Sequence, residues 1–278
     1  MSKRLTILAG DGALPNLLAQ SASALGWEIQ ILSLLKGADF LDMEVKYIKA
    51  SNPVDIIFNI RRFKTSHICM VGGTQISDKS RQNIFKLLGN KSKKTISGGD
   101  SALSKLGKAL EISTGAKIIA VHEIMPQLLA GEGIIAGPKL KKSDIKYGIY
   151  ALKTAYDAGR LDLGQAVICS GNRLIAVEDI AGTDALIKRV YEHKKSGLVG
   201  DGSSILILAK TKKPNQPSYV DLPAIGPNTI LAVKNTGISA IFVEANNSII
   251  IELEKIKAMA QEHSISVYGV SLNHAGAG

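Results

Sequence analysis

Leu5-Thr6-Ile7-Leu8-Ala9 runs directly into Gly10-Asp11-Gly12-Ala13-Leu14-Pro15. The uncharged run reads as a buried strand and the glycines as a turn. Pro15 then stands in the first turn of a helix that extends to Leu25. The same rhythm repeats downstream. Glu28 to Leu34 reads as a second strand, Pro53 to Phe63 as a helix with Asn52 in capping position, and His67 to Val71 as a strand before Gly72-Gly73. A helix over Lys79 to Leu88, a helix from Gly98-Gly99-Asp100 to Leu110 and a strand over Lys117 to Val121 complete the series. Strands alternating with helices imply a parallel sheet with both faces covered. The chain is therefore expected to open with a Rossmann-like domain over residues 1–132.

The segment Gly131-Glu132-Gly133 to Gly137-Pro138 breaks that rhythm, and residues 133–142 read as a Gly-rich linker. Residues 143–278 then read as a second domain of mixed α/β type. Asp144 to Ala158 is helical, with Ser143 placed to cap it. Gln165 to Cys169 and Leu174 to Val177 flank Ser170-Gly171-Asn172-Arg173, a hairpin signature. A helix after Thr183, a strand over Ser204 to Ala209, and a long proline-containing loop follow. The chain ends in a helix over Asn228 to Asn235, a strand over Ala240 to Glu244, a helix over Leu253 to His263 and a strand over Ile265 to Val270. The expected fold class is α/β in two domains.

Composition narrows the function. A chain of 278 residues buries a core without disulfide or metal staples. No uninterrupted apolar run approaches the ~18 residues of a spanning helix. The apolar run after Lys3-Arg4 ends at Asp11, too soon for a secretory leader. Cys69 and Cys169 sit in apolar runs and match no metal spacing, so they read as reduced core residues of a cytoplasmic protein. The net charge of +10 suits an anionic partner. Aromatics make up only 5%, too few for base stacking, so no nucleic acid is expected.

The glycine turn before Pro15 offers backbone N–H groups and a helix N-terminus to an anion, or serves only as a tight turn. A dinucleotide fingerprint needs Gly where Pro15 stands, and Glu28 arrives too early to be its ribose partner. A nicotinamide-dependent oxidoreductase is weakened accordingly. Gly98-Gly99-Asp100 repeats the turn-into-helix pattern, and His122-Glu123 follows the last strand of the first domain, at the edge where open sheets bind ligands. Gly159-Arg160-Leu161-Asp162-Leu163-Gly164-Gln165, Glu178-Asp179 and Gly182-Thr183-Asp184-Ala185 carry the polar residues of the second domain. There Thr183 or Asp184 is placed to cap a helix. The densest chemistry lies in Lys210-Thr211-Lys212-Lys213-Pro214, continued by Val220-Asp221-Leu222-Pro223-Ala224-Ile225-Gly226. Prolines stiffen this loop, which holds Asp221 beside lysines and so fits phosphate chemistry. A non-catalytic nucleotide-sugar or lipid-binding protein would keep the turns without needing Asp221.

Taken in order, these motifs resemble the LpxI-type UDP-2,3-diacylglucosamine pyrophosphatases of lipid A biosynthesis, from about residue 4 to 271. The chain departs from the family's Gly-x-Val-x-Arg-Pro type segment, having Gly73-Thr74-Gln75-Ile76-Ser77. The resemblance implies metal-dependent hydrolysis of UDP-2,3-diacylglucosamine to UMP and 2,3-diacylglucosamine 1-phosphate, with water directed toward the β-phosphorus. It implies a homodimer, transient contact with the inner leaflet, and an essential acid that falls on Asp221. It places substrate contacts on Gly10, Asp11, Gly12, Ala13, Leu14, Pro15, Gly99, Asp100 and His122. In the second domain they fall on Gln165, Gly182, Thr183, Asp184 and Lys210. Magnesium is the expected metal, suited to oxygen ligands beside phosphate, with Asp221 as one ligand. Glu123, Asp162, Asp179 and Asp184 are further candidate ligands.

Overall fold

The computed structural model describes residues 3–37, 40, 43–49, 52–73, 99–200, 204–214 and 222–272. These fall into two compact units, one up to Gln127 and one from Leu128 onward. The helix expected over Lys79 to Leu88, the residues 74–77 and Asp221 lie outside the described residues.

In the first unit, strand β1 (Arg4–Ala9) leads through the glycine turn into helix α1 (Leu14–Ala24) and strand β2 (Glu28–Ser33). Strand β3 (Val45–Tyr47) precedes helix α2 (Pro53–Arg62), whose cap is Asn52, accepting from the Asp55 N–H at 3.4 Å. Strand β4 (His67–Val71), helix α3 (Gly99–Thr114), strand β5 (Lys117–Ile118) and the one-turn helix α4 (Val121–Ile124) follow. The strands pair in parallel in the order β3-β2-β1-β4-β5. Leu8, Leu32, Ile56, Ile60, Ile68 and Leu110 form a core between sheet and helices. Two details differ from the sequence reading. The short strand β3 carries too few residues to show a period, and the last strand stops at Ile118 because the chain turns into α4.

The second unit opens where a linker was expected. Gly133–Ala136 is strand β6, held antiparallel against the last strand of the chain. Helix α5 (Lys142–Arg160) starts before Ser143, so Ser143 does not cap it. Strands β7 (Ala166–Ser170) and β8 (Arg173–Val177) form the expected hairpin, followed by helix α6 (Gly182–Lys195) and strand β9 (Leu206–Lys210). The short strand β10 (Ala224–Ile225) leads into helix α7 (Pro227–Thr236) and strand β11 (Ala240–Glu244). Strand β12 (Ile249–Ile250) pairs with β10, and helix α8 (Leu253–Glu262) and strand β13 (Ser266–Val270) complete the unit. The main sheet runs β6-β13-β11-β9-β7-β8, with β13, β11 and β9 mutually parallel. One apolar cluster, with Ala151, Leu152, Ala155 and Phe242, joins α5 to this sheet. Another gathers Leu186, Val190, Ile230, Val233 and Ile256 from α6, α7 and α8.

Candidate functional site

At the carboxyl edge of the first sheet, the glycine turns after β1 and β4 lie backbone to backbone. Gly10 N donates to Val71 O at 2.8 Å, Asp11 N to Gly73 O at 2.7 Å, and Gly73 N to Asp11 O at 2.9 Å. Gly12 N donates to the Asp11 carboxylate at 2.8 Å. The approach needs glycine. A Cβ on Gly10 would stand 2.4 Å from Gly73 O, and one on Gly72 would stand 2.7 Å from Asp11 O. The amides of Gly10, Asp11 and Gly12 are therefore committed inside the protein, and the expected anion cradle is reduced to the uncapped start of α1 at Leu14, since Pro15 has no N–H to donate. Ala13 is exposed at that start. Gly99 and Asp100 open α3.

His122 lies on α4, just beyond β5, and its Nδ1 is buried with no hydrogen-bond partner among the described residues. Glu123 accepts from Ala120 N at 2.8 Å. Glu28 opens β2 at the opposite end of the sheet and pairs with Arg4 at 2.7 Å, so it is no ribose partner.

The carboxyl edge of the second sheet is built of side chains. Parallel β9 and β11 end side by side, with Lys210 aligned to Val243 and Glu244 the next residue along. Antiparallel β7 begins at this edge, Ala166 facing Lys210, and β8 ends at it, Val177 facing Val167. The register thus delivers Gln165, Glu178, Lys210, Thr211 and Glu244 to one place.

Lys210 is 6% exposed, and its Nζ donates to Thr183 Oγ1 at 3.0 Å and to Ala224 O at 3.1 Å. Thr183 Oγ1 donates on to Glu178 Oε1 at 2.6 Å, and Gln165 N donates to Glu178 Oε2 at 2.9 Å. A buried ammonium and a buried carboxylate are joined through one hydroxyl, which fixes the direction of its proton. This tertiary contact takes Thr183 away from capping: α6 starts at Gly182 without a side-chain cap. Asp184 is exposed in the first turn of α6, where the helix dipole favours a negative charge. Gly164 lies against Glu178, whose carbonyl oxygen a Cβ would meet at 2.4 Å.

A second buried carboxylate, Glu244, accepts from the Thr211 hydroxyl and from Lys212 N at 3.2 Å. The sequence singled out Glu178 only as part of a polar motif, with no role, and did not single out Glu244. The available signal was a charged residue closing an otherwise apolar strand, as Lys210 and Glu244 both do. The described chain toward Asp221 reaches Pro214, and it resumes at Leu222, buried beside Pro223, whose carbonyl accepts from Ile249 N at 2.8 Å.

Of the other expected metal ligands, Asp162 and Asp179 are engaged elsewhere. Asp162 pairs with Lys213 at 2.8 Å, and Asp179 accepts from Ala181 N at 2.9 Å and from Arg189. The Ala181 amide, then Arg189, hold the Asp179 carboxyl below its ordinary range. Among the described residues, no group of three or more His, Cys, Asp or Glu side chains is placed to hold a metal ion. No described helix is long and apolar enough to cross a membrane.

Two family models match the chain, LpxI N-terminal domain over residues 4–128 and LpxI C-terminal domain over residues 131–268. UDP-2,3-diacylglucosamine pyrophosphatase LpxI of Caulobacter vibrioides is 30% identical over 275 residues, covering 96% of this chain and 98% of that protein. Among solved structures, UDP-glucose 4-epimerase of Thermus thermophilus, in complex with NAD, is 12% identical, with 98% of this chain and 87% of that one covered and a TM-score of 0.33. The corresponding epimerase of Thermotoga maritima, with UDP-glucose, is 7% identical over 50% of this chain and 42% of that one, with a TM-score of 0.28. Likeness at that level carries no argument about ligand or mechanism.

Proposed function

The chain belongs to the LpxI family, and from that premise we propose that it hydrolyses the pyrophosphate of UDP-2,3-diacylglucosamine to UMP and 2,3-diacylglucosamine 1-phosphate in lipid A synthesis. The observation that carries this reading is similarity along the whole chain, both domains included, to an enzyme of that name. The Lys210–Thr183–Glu178 chain supports it, because it keeps a buried positive charge at a sheet edge suited to ligands.

In this reaction one P–O bond of the anhydride breaks and one forms to water oxygen. UMP leaves with the bridging oxygen when water attacks the β-phosphorus. Little covalent work falls to the protein, so positioning and charge neutralisation dominate. Asp221 is proposed to orient the attacking water and take its proton. Lys210 opposes the phosphate charge and ties the chain at Ala224, three residues beyond Asp221. His122, whose buried Nδ1 has no partner among the described residues, is proposed to hydrogen-bond substrate.

Magnesium belongs to the proposal. With Glu123, Asp162 and Asp179 paired within the protein, Asp221 and substrate phosphate oxygens would hold it, a ligand set that magnesium accepts. When bound, it neutralises charge on the phosphate oxygens. The homodimer and the contact with the inner leaflet are also proposed. The leaflet contact follows from an acylated substrate and a net charge of +10, which an anionic surface attracts. Purified protein incubated with UDP-2,3-diacylglucosamine and magnesium is expected to release UMP and the lipid 1-phosphate in equal amounts. Intact substrate after incubation with folded protein would refute the assignment.

A further inference from the structure

Glu244 closes β11 and is 2% exposed, after the apolar run Ala240-Ile241-Phe242-Val243. Burying a carboxylate costs several kcal/mol unless donors surround it. Here Oε2 accepts from the Thr211 hydroxyl and from Lys212 N at 3.2 Å, and Oε1 accepts from Asn247 Nδ2 at 2.9 Å. Thr211 is itself fully buried, and its N–H donates to Gln165 O at 3.0 Å. One carboxylate oxygen therefore grips the chain at two successive residues, where it leaves β9 toward Asp221. The Lys210–Ala224 bond grips the same loop where it returns. Closing the end of an apolar strand needs no charge. A carboxylate that takes two donors on one oxygen from this loop root is better matched to fixing the direction in which the loop departs.

We propose that Glu244 is a positioning residue for the pyrophosphatase reaction, acting through Thr211 and Lys212 on the loop that carries Asp221. The inference rests on the reading given under Proposed function. It predicts a loss in turnover without an equal loss in binding, because a displacement of the order of 1 Å costs up to about 10²-fold in rate.

The test measures UMP release, kcat and KM separately, together with the thermal midpoint, for wild type and four variants. Glu244→Ala and Thr211→Val are expected to lower kcat about 10- to 100-fold while KM stays within about threefold. Glu244→Gln should recover most of the rate, since its Oε1 still accepts from Thr211 and Lys212. Asn247→Ala removes the donor on the other oxygen and should leave kcat within about twofold. Where Glu244→Ala does not fold, the Thr211→Val and Asn247→Ala pair decides. Wild-type kcat in folded Thr211→Val and Glu244→Ala would overturn the positioning role and leave the enzyme assignment intact. Losses in kcat that merely follow the thermal midpoint, Asn247→Ala included, would do the same. Absence of UMP release by the wild-type protein would overturn both.

Discussion

The two sheets present their carboxyl edges in opposite materials. In the first unit the edge is backbone: glycine turns exchange main-chain hydrogen bonds across β1 and β4, which use the amides of Gly10, Asp11 and Gly73. In the second unit it is side chain: Lys210, Thr183, Glu178, Thr211 and Glu244 form buried contacts drawn from four segments. The first construction leaves those three amides nothing to offer a ligand. The second holds buried charge at the edge to which the phosphate chemistry is assigned in the proposal, and burial makes each of its bonds matter. Catalytic substitutions should therefore be felt in the second unit, and steric ones in the first.

Lys210→Met should break this contrast most strongly if it is right. The change removes a buried charge and leaves Ala224 O and Thr183 without their donor, so UMP turnover should fall on the order of 10²-fold, as for loss of one preorganised electrostatic contact. Steady-state kinetics on folded protein checks this, and unchanged turnover would move the site away from this edge. Gly10→Ala comes next. Its Cβ would meet the backbone oxygens of Gly73 and Gly72 at 2.4 and 2.8 Å, so roughly 1–3 kcal/mol of stability should be lost, measured by urea unfolding.

Asp11→Ala sharpens the comparison by doing little. Its backbone bridge to Gly73 remains and only the bond from Gly12 N is lost, so the change should stay within about 1 kcal/mol in the same experiment. The thiols are one point at which the two units should not differ. Burial pushes both Cys69 and Cys169 up to about 12, so at pH 8 each remains protonated. Neither should react with a maleimide in the native protein, and both should react in denaturant.

Local signals carried much of this fold. The β1–α1–β2 rhythm, the Asn52 cap and the β7–β8 hairpin each depend on residues close in sequence, and all were legible. Strand β6 was not, because Gly131 to Pro138 has the composition of a linker and becomes a strand only by pairing with distant β13. Thr183 shows the same conflict at one residue. The local rule offered it, or Asp184, as a cap, and Glu178 and Lys210 claim its hydroxyl instead. The candidate site was legible where it sits in motifs. Its buried carboxylates were not, since Glu178 and Glu244 meet their partners only through strand register.

The claim that phosphoanhydride chemistry depends on the loop leaving β9 is tested most directly at Asp221. Turnover of UDP-2,3-diacylglucosamine by Asp221→Ala should be measured beside wild type, with nucleotide-sugar retention followed on the same preparation. Turnover should fall by roughly 10²–10⁴-fold, the range for loss of a positioned acid–base group, while substrate still binds. A folded Asp221→Ala protein releasing UMP at near the wild-type rate would contradict the account.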